Sequence, residues 1–263
     1  MNAVAADRGR AFDAWADDYD RYRPGYPDAL FGVIATRLAL PDRPVVADLG
    51  AGTGLASIAM AARGWQVMAV EPGEPMLDVL RARSAEARLA ITTVQASAEA
   101  TGLVSASVDL ATAAQAFHWF DHARALSEMG RIVRPGGGIA LFWNIRDANA
   151  SSFMRAYLDL LDDHGTDAST RGPGRHPDTR VWLRQSGAFE AATFLQVRHS
   201  VSMSPEEFIG LAFTASYVRA LAPERLAAFR ADLGELATRH AVETGALEIP
   251  YVVDCEIARR KDR

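Results

Sequence analysis

From Pro44 to Trp143 short apolar runs alternate with stretches of helical period, and this alternation restricts the fold more than any other feature of the chain. Val45-Val46-Ala47-Asp48-Leu49, Gln66-Val67-Met68-Ala69-Val70, Ala90-Ile91-Thr92-Thr93-Val94, Val108-Asp109-Leu110-Ala111-Thr112 and Gly138–Trp143 read as five strands. Helices are expected from the glycine turn through Ala62, over Pro75–Ser84 and over Asp121–Val133, the last stopped by Arg134-Pro135-Gly136-Gly137. Strands joined through helices need right-handed crossovers, and these build a parallel sheet with helices on both faces. Phe189–His199 and Ile249–Ala258 add two strands, and the last must return to the sheet of the first half. The expected fold class is therefore α/β, a seven-stranded, mostly parallel sheet with its last strand antiparallel. Pro205–Phe213 and a stripe of Leu226, Phe229, Leu233, Leu236 and His240 predict a helical cap over 200–246.

Ahead of the sheet, Phe12, Trp15, Ala16 and Tyr19 form one stripe of an amphipathic helix that ends at Arg23-Pro24-Gly25-Tyr26-Pro27. A second helix is expected over Asp28–Leu38. The 263 residues then read as one domain: an N-terminal helical lid (1–38), an α/β core that holds the ligand (44–146), and substrate-side helices, cap and C-terminal strands (147–263). Lys and Arg total 28 against 33 Asp and Glu, a net charge of −5 that argues against a nucleic-acid partner. No apolar run is long enough to span a membrane, and the first residues lack the charged and apolar regions of a signal peptide. A cytoplasmic location is expected, with the oligomeric state open. Cys255 is the single cysteine, which leaves no disulfide framework. His118 and His122 lack a third ligand at metal spacing, so no metal is expected.

The densest signal is Asp48-Leu49-Gly50-Ala51-Gly52-Thr53-Gly54, set between a strand and a helix. Glycines there let backbone approach a ligand, and a helix N-terminus offers unpaired N–H groups. The dinucleotide pattern G-x-G-x-x-G would need glycine at 55, where Leu55 stands. Glu71 closes the second strand, twenty-three residues after Asp48, where a carboxylate can accept from both hydroxyls of a ribose. Ser97-Ala98-Glu99 follows the third strand, Gln115-Ala116-Phe117-His118-Trp119-Phe120 the fourth, and Asn144-Ile145-Arg146-Asp147 the fifth. All lie at the carboxyl edge of the sheet, where ligands of open α/β folds bind.

Asp48-x-Gly50-x-Gly52-x-Gly54 with the strand-end acid Glu71 resembles the cofactor motifs of class I S-adenosylmethionine-dependent methyltransferases, which have a Rossmann-like sheet. Tyr19-Asp20-x-Tyr22-Arg23-Pro24-x-Tyr26-Pro27, Gln115-Ala116-Phe117-His118-Trp119 and Trp143-Asn144-x-Arg146-Asp147 are similar to a small-molecule branch that includes trans-aconitate methyltransferases. The resemblance implies that Asp48, Gly50, Gly52, Thr53 and Gly54 hold the methionine moiety and Glu71 the ribose. Ser97, Ala98 and Glu99 would flank the adenine, Gln115 would form the floor, and Tyr19 would cover the cofactor. The implied cofactor is S-adenosylmethionine, with S-adenosylhomocysteine as product and a small-molecule substrate, a carboxylate among the candidates, as methyl acceptor. One departure is that the acid is followed by Pro72-Gly73 rather than a small polar residue.

Methyl transfer from a sulfonium is an in-line displacement, so the protein must align, exclude water and shield a cation. Trp119 and Trp143 are candidate pocket walls, and Arg23, Tyr26, Asn144 and Arg146 are candidates for holding the acceptor. Arg171, Arg175 and Arg180 form a further basic group that reads as solvated surface. His118 is placed like a general base, yet a carboxylate acceptor would need none. Two alternatives fit the same residues: the same cofactor used for a reaction such as intramolecular cyclisation, and a catalytically silent binding protein.

Overall fold

The structure, a computed structural model, describes residues 22–166, 179–241 and 245–262. The amphipathic stripe Phe12/Trp15/Tyr19 and the loop arginines Arg171 and Arg175 lie outside the described residues. Strands β1 (Val45–Leu49), β2 (Gln66–Val70), β3 (Ile91–Val94), β4 (Val108–Ala114), β5 (Val133–Arg146), β6 (Thr193–Met203) and β7 (Leu247–Arg259) form one sheet in the order β3-β2-β1-β4-β5-β7-β6. Neighbours from β3 to β5 run parallel, whereas β7 is antiparallel to both β5 and β6. The expected α/β sheet is present, with its last strand inserted antiparallel.

Alternation along the strands gives the sheet two buried faces. On one, Ile139, Leu141 and Trp143 of β5 join Ala125, Leu126, Met129 and Ile132 of α4 (His122–Ile132). On the other, Ala140 and Phe142 meet Leu30, Phe31, Ile34 and Leu38 of α1 (Asp28–Leu38), together with Met60 of α2 (Leu55–Ala62). Helix α1 is thus part of the core layer, and Tyr26 just ahead of it packs against the same cluster. Helix α3 (Glu74–Glu86) completes the β2–β3 crossover.

One expectation is corrected in β5. Arg134-Pro135-Gly136-Gly137 reads as a turn, yet the strand runs through it with a large bulge. The register jumps from Val108↔Val133 to Leu110↔Gly138. Gly136 takes φ +76°, and a Cβ at Gly137 would stand 2.5 Å from the Asp109 carbonyl oxygen, so the two glycines let the strand continue.

A separate apolar cluster builds the cap. Helices α5 (Ser152–Asp163), α7 (Pro205–Phe213), α8 (Ser216–Arg219) and α9 (Pro223–His240) pack around Phe153, Tyr157, Phe208, Phe229 and Leu233. Helix α6 (Thr179–Ser186) lies instead beside α4. Tyr22 joins the cap, its ring so close to Gly210 of α7 that a Cβ there would come within 2.4 Å of Cζ. No helix among the described residues is long and apolar enough to cross a membrane.

Candidate active site

The order of crossovers reverses between β1 and β4, which opens a crevice at the carboxyl ends of these two strands. The glycine turn forms one wall. Gly50, Gly52 and Gly54 take φ +66°, +56° and +88°, a left-handed region unfavourable for residues with a Cβ. The N–H groups of Gly50 and Ala51 both donate to the Val70 carbonyl, at 2.8 and 3.1 Å, which folds the turn over the end of β2. Packing explains two of the glycines: a Cβ on Gly50 would meet Ala116 at 2.7 Å and one on Gly54 would meet Leu80 at 2.6 Å. A Cβ on Gly52 would meet nothing within 4 Å. Space is therefore open above the middle of the turn, at the start of α2. Beside it, the Thr53 hydroxyl is buried without a hydrogen-bond partner.

Asp48 lies beneath the turn, 1 % exposed. Its Oδ2 accepts from Ser57 Oγ at 2.6 Å and its Oδ1 from Thr112 Oγ1 at 2.8 Å. Burial nevertheless dominates and pushes its carboxyl up to about 6, against the lowering effect of the two hydroxyls. Glu71 stands at the rim. Its Oε2 accepts from Gly52 N and its Oε1 from Gly73 N, each at 3.0 Å, so Pro72-Gly73 turns a backbone donor back onto the acid. A carboxylate has about four acceptor positions, so it is a group that can take several donors at once.

The loop after β3 is pinned at both ends. A bridge joins Ser97 to Ala100, Ala98 is buried, and Glu99 Oε1 accepts from Asp121 N at 2.9 Å at the cap of α4. The next residue but one is strapped by Glu128, which accepts from Thr101 N at 2.9 Å and from its hydroxyl at 2.5 Å. The Arg131 guanidinium, with help from Thr101, holds the Glu128 carboxyl down to about 2. Neither Glu128 nor Thr101 carries a sequence signal, because helical acids are common and only the fold brings them together.

After β4, Gln115 takes φ +54° and its Nε2 donates to the Asn144 carbonyl at 3.0 Å. A 3-10 turn over Phe117–Trp119 buries Phe117 and leaves Trp119 38 % exposed beside the site. The Trp143 indole is 1 % exposed in the core, and its N–H reaches His118 Nδ1 at 3.4 Å. Burial, with a smaller effect of nearby His122, pushes the His118 imidazole down to about 4. Asn144 is a junction: its Nδ2 donates to the Gly25 carbonyl at 3.0 Å and its Oδ1 lies 2.8 Å from His199 Nε2. The Tyr26 ring packs edge-on against Phe142, centroids 4.9 Å apart, and Arg23 is half-buried in the same segment. Arg146 turns toward the cap, its guanidinium 5.7 Å from the centre of the Tyr157 ring. Tyr19 lies outside the described residues, and Arg180 of α6 stands 4.0 Å from Glu256.

Comparison with known proteins accords with this geometry. A family model described as a methyltransferase domain matches residues 47–141, the span from β1 into β5. An uncharacterised methyltransferase of Mycobacterium tuberculosis is 33% identical over 261 residues, covering 97% of this chain and 98% of the relative. A solved structure from Anaeromyxobacter dehalogenans, assigned as a type II methyltransferase, superposes with a TM-score of 0.70 at 28% identity, over 92% of this chain and 100% of that one. At 14% identity and a TM-score of 0.55, a Haemonchus contortus phosphoethanolamine N-methyltransferase bound to S-adenosylhomocysteine shares the fold; 98% of this chain and 59% of that one are covered. With a glycine turn at the switch point, an acid at the end of β2 and a full-length relative of that kind, the chain belongs to the class I S-adenosylmethionine-dependent methyltransferases.

Proposed function

We propose that the protein methylates a small-molecule acceptor, and that the accepting group is a carboxylate. The observation that carries the cofactor side is the open space over Gly52, rimmed by Glu71 and the unpartnered Thr53 hydroxyl. These groups fit S-adenosylmethionine, which when bound supplies an activated methyl group on a sulfonium. Gly50, Gly52, Thr53 and Gly54 receive its methionine end, with Asp48 bracing the turn from below. Glu71 accepts from the ribose, Ser97, Ala98 and Glu99 flank the adenine, and Gln115 forms the floor. Tyr19 and the residues before Asp28 act as the lid of a single catalytic domain spanning 1–263, and closure excludes water from the site.

On the acceptor side, Trp119 contributes an aromatic wall and Trp143 holds the His118 ring from within the core. Arg23, Tyr26, Asn144 and Arg146 position the acid. A carboxylate is ionised near neutral pH and needs no base, which agrees with an imidazole whose Nδ1 is already taken by the Trp143 N–H. The carboxylate itself rests on the resemblance to the trans-aconitate branch. A cytoplasmic small-molecule enzyme with no nucleic-acid partner completes the reading.

Calorimetry with S-adenosylhomocysteine tests the cofactor site, and tight NADH binding in its absence would end the reading. Incubation with S-adenosylmethionine and a panel of small carboxylic acids tests the acceptor, read as S-adenosylhomocysteine and a methyl ester. Methylthioadenosine formed without any acid would point to a different use of the cofactor. Turnover confined to amines or alcohols would overturn the carboxylate.

A further inference from the structure

Where β5 meets the cap, a half-buried cation faces phenols instead of acids. Arg146 and Tyr251 are partners across the β5–β7 ladder, Tyr157 reaches in from α5, and Tyr217 of α8 is the third phenol beside the guanidinium. Tyr157 is 0 % and Tyr251 3 % exposed, and neither hydroxyl makes a hydrogen bond of normal geometry. Among the described residues no carboxylate pairs with Arg146, although a charge drawn partly out of water ordinarily takes one. The Tyr251 ring is itself held from behind, stacked on His199 with centroids 5.4 Å apart and planes at 23°. His199 is in turn fixed by Asn144 Oδ1.

A phenol oxygen can accept from the guanidinium while its O–H remains available to donate, so the guanidinium and the phenol O–H groups together present donors. The cluster suits a group rich in acceptors and repels a cation. The position is also suitable: β5 lies two strand spacings of about 4.8 Å from β1, and Arg146 stands four residues beyond Phe142, which is level with the start of the glycine turn, so the cluster lies roughly 16 Å from that turn, a span that the methionine end of the cofactor and a small acceptor would fill together.

We propose that Arg146, Tyr157, Tyr217 and Tyr251 form the subsite for an anionic group of the acceptor, a carboxylate or a phosphate. The identity of the occupant as acceptor rests on the methyltransferase reading above, whereas the anion site stands on the cluster alone. In the full-length protein saturated with S-adenosylhomocysteine, calorimetry is run with succinate, with inorganic phosphate and with neutral succinamide. One anion is expected to bind with unit stoichiometry while succinamide does not, and the stronger of the two identifies the source. Arg146→Gln should weaken that anion at least tenfold, and Tyr157→Phe and Tyr251→Phe, which each remove one oxygen, about threefold or more. Affinity for S-adenosylhomocysteine should stay within twofold in all three. If Arg146→Gln fails to fold, the two phenylalanine variants carry the test. Absence of anion binding, or anion binding that none of the variants weakens, overturns the subsite. Failure of S-adenosylhomocysteine to bind the parent protein would instead count against the cofactor reading, and the anion titrations would still read the cluster.

Discussion

The indole N–H of Trp143 points at Nδ1 of His118, 3.4 Å away. An indole can only donate, so Nδ1 is the acceptor and the neutral imidazole carries its proton on Nε2. A ring in that tautomer offers a donor outward, the reverse of what a general base presents. His118→Gln is therefore expected to lower kcat by less than tenfold, with the rate nearly flat from pH 6 to 8 in both proteins, because the imidazole held near 4 stays neutral throughout. A loss of about 10²–10⁴-fold with cofactor affinity unchanged would make His118 the base and remove the carboxylate acceptor.

His118 and Asp48 oppose one another in the dependence of stability on pH. The Asp48 carboxyl is raised from 3.8 to about 6, so the folded state holds its proton more tightly, and stability is lost as pH rises through that window. The His118 imidazole is lowered from 6.5 to about 4, so stability is lost as pH falls from 6.5 toward 4. Each effect amounts to roughly 3 kcal/mol at most. Urea denaturation between pH 4 and 7 separates them: relative to the parent, Asp48→Asn should gain stability as pH rises, and His118→Gln should lose it. Curves parallel to the parent would show that neither environment is as dry as its burial implies.

Two glycines of the same turn should fail in different ways. Gly54→Ala combines φ +88° with a contact of 2.6 Å to Leu80, and is expected to lower stability by about 2–4 kcal/mol. Gly52→Ala has φ +56° but meets no protein atom within 4 Å, so only the backbone cost of about 1–2 kcal/mol applies. Its larger effect should fall on S-adenosylhomocysteine, read by calorimetry against melting temperature. Equal losses of stability in the two variants would contradict this division.

Glu71 joins the turn to the loop after β2, so its removal should show in two measurements. Glu71→Ala leaves the N–H groups of Gly52 and Gly73 without their acceptor and takes away the proposed ribose contact. Affinity for S-adenosylhomocysteine should drop by about 1.5–3 kcal/mol, with a smaller drop in melting temperature. Unchanged affinity in a folded variant would move the ribose elsewhere.

The chain before Asp28 can be tested through its partner on the cap. Gly210→Ala would place a methyl group within 2.4 Å of the Tyr22 ring, which must then leave the face of α7. If these residues close over the cofactor, S-adenosylhomocysteine binding should weaken several-fold while the sheet keeps its far-ultraviolet circular dichroism. Binding unaffected by the substitution would reduce the contact to packing.

Much of the core is written locally. Val45–Leu49 and Gln66–Val70 are apolar runs closed by turn residues, and both strands carry those bounds in the structure. β5 was harder, because a proline and two glycines ordinarily stop an element; only the neighbouring Asp109 backbone shows why they serve a bulge. The site divides in the same way. Gly50, Gly52, Gly54, Glu71 and Gln115 each follow a strand, so sequence order already brings them to one edge. Tyr157, Tyr217 and Tyr251 come from two helices and an antiparallel strand. Their meeting at Arg146 depends on the Arg146↔Tyr251 register, which no local pattern encodes.

The side chains of the cap close around one another in a cluster that shares no residue with the two clusters flanking the sheet. Substitutions that reshape the cap interior can therefore accumulate without disturbing the packing beneath the glycine turn. With the acceptor held against the cap as proposed above, selection can act on the two compartments at different rates, so that descendants of one ancestral chain come to accept unlike molecules while retaining a common methyl donor.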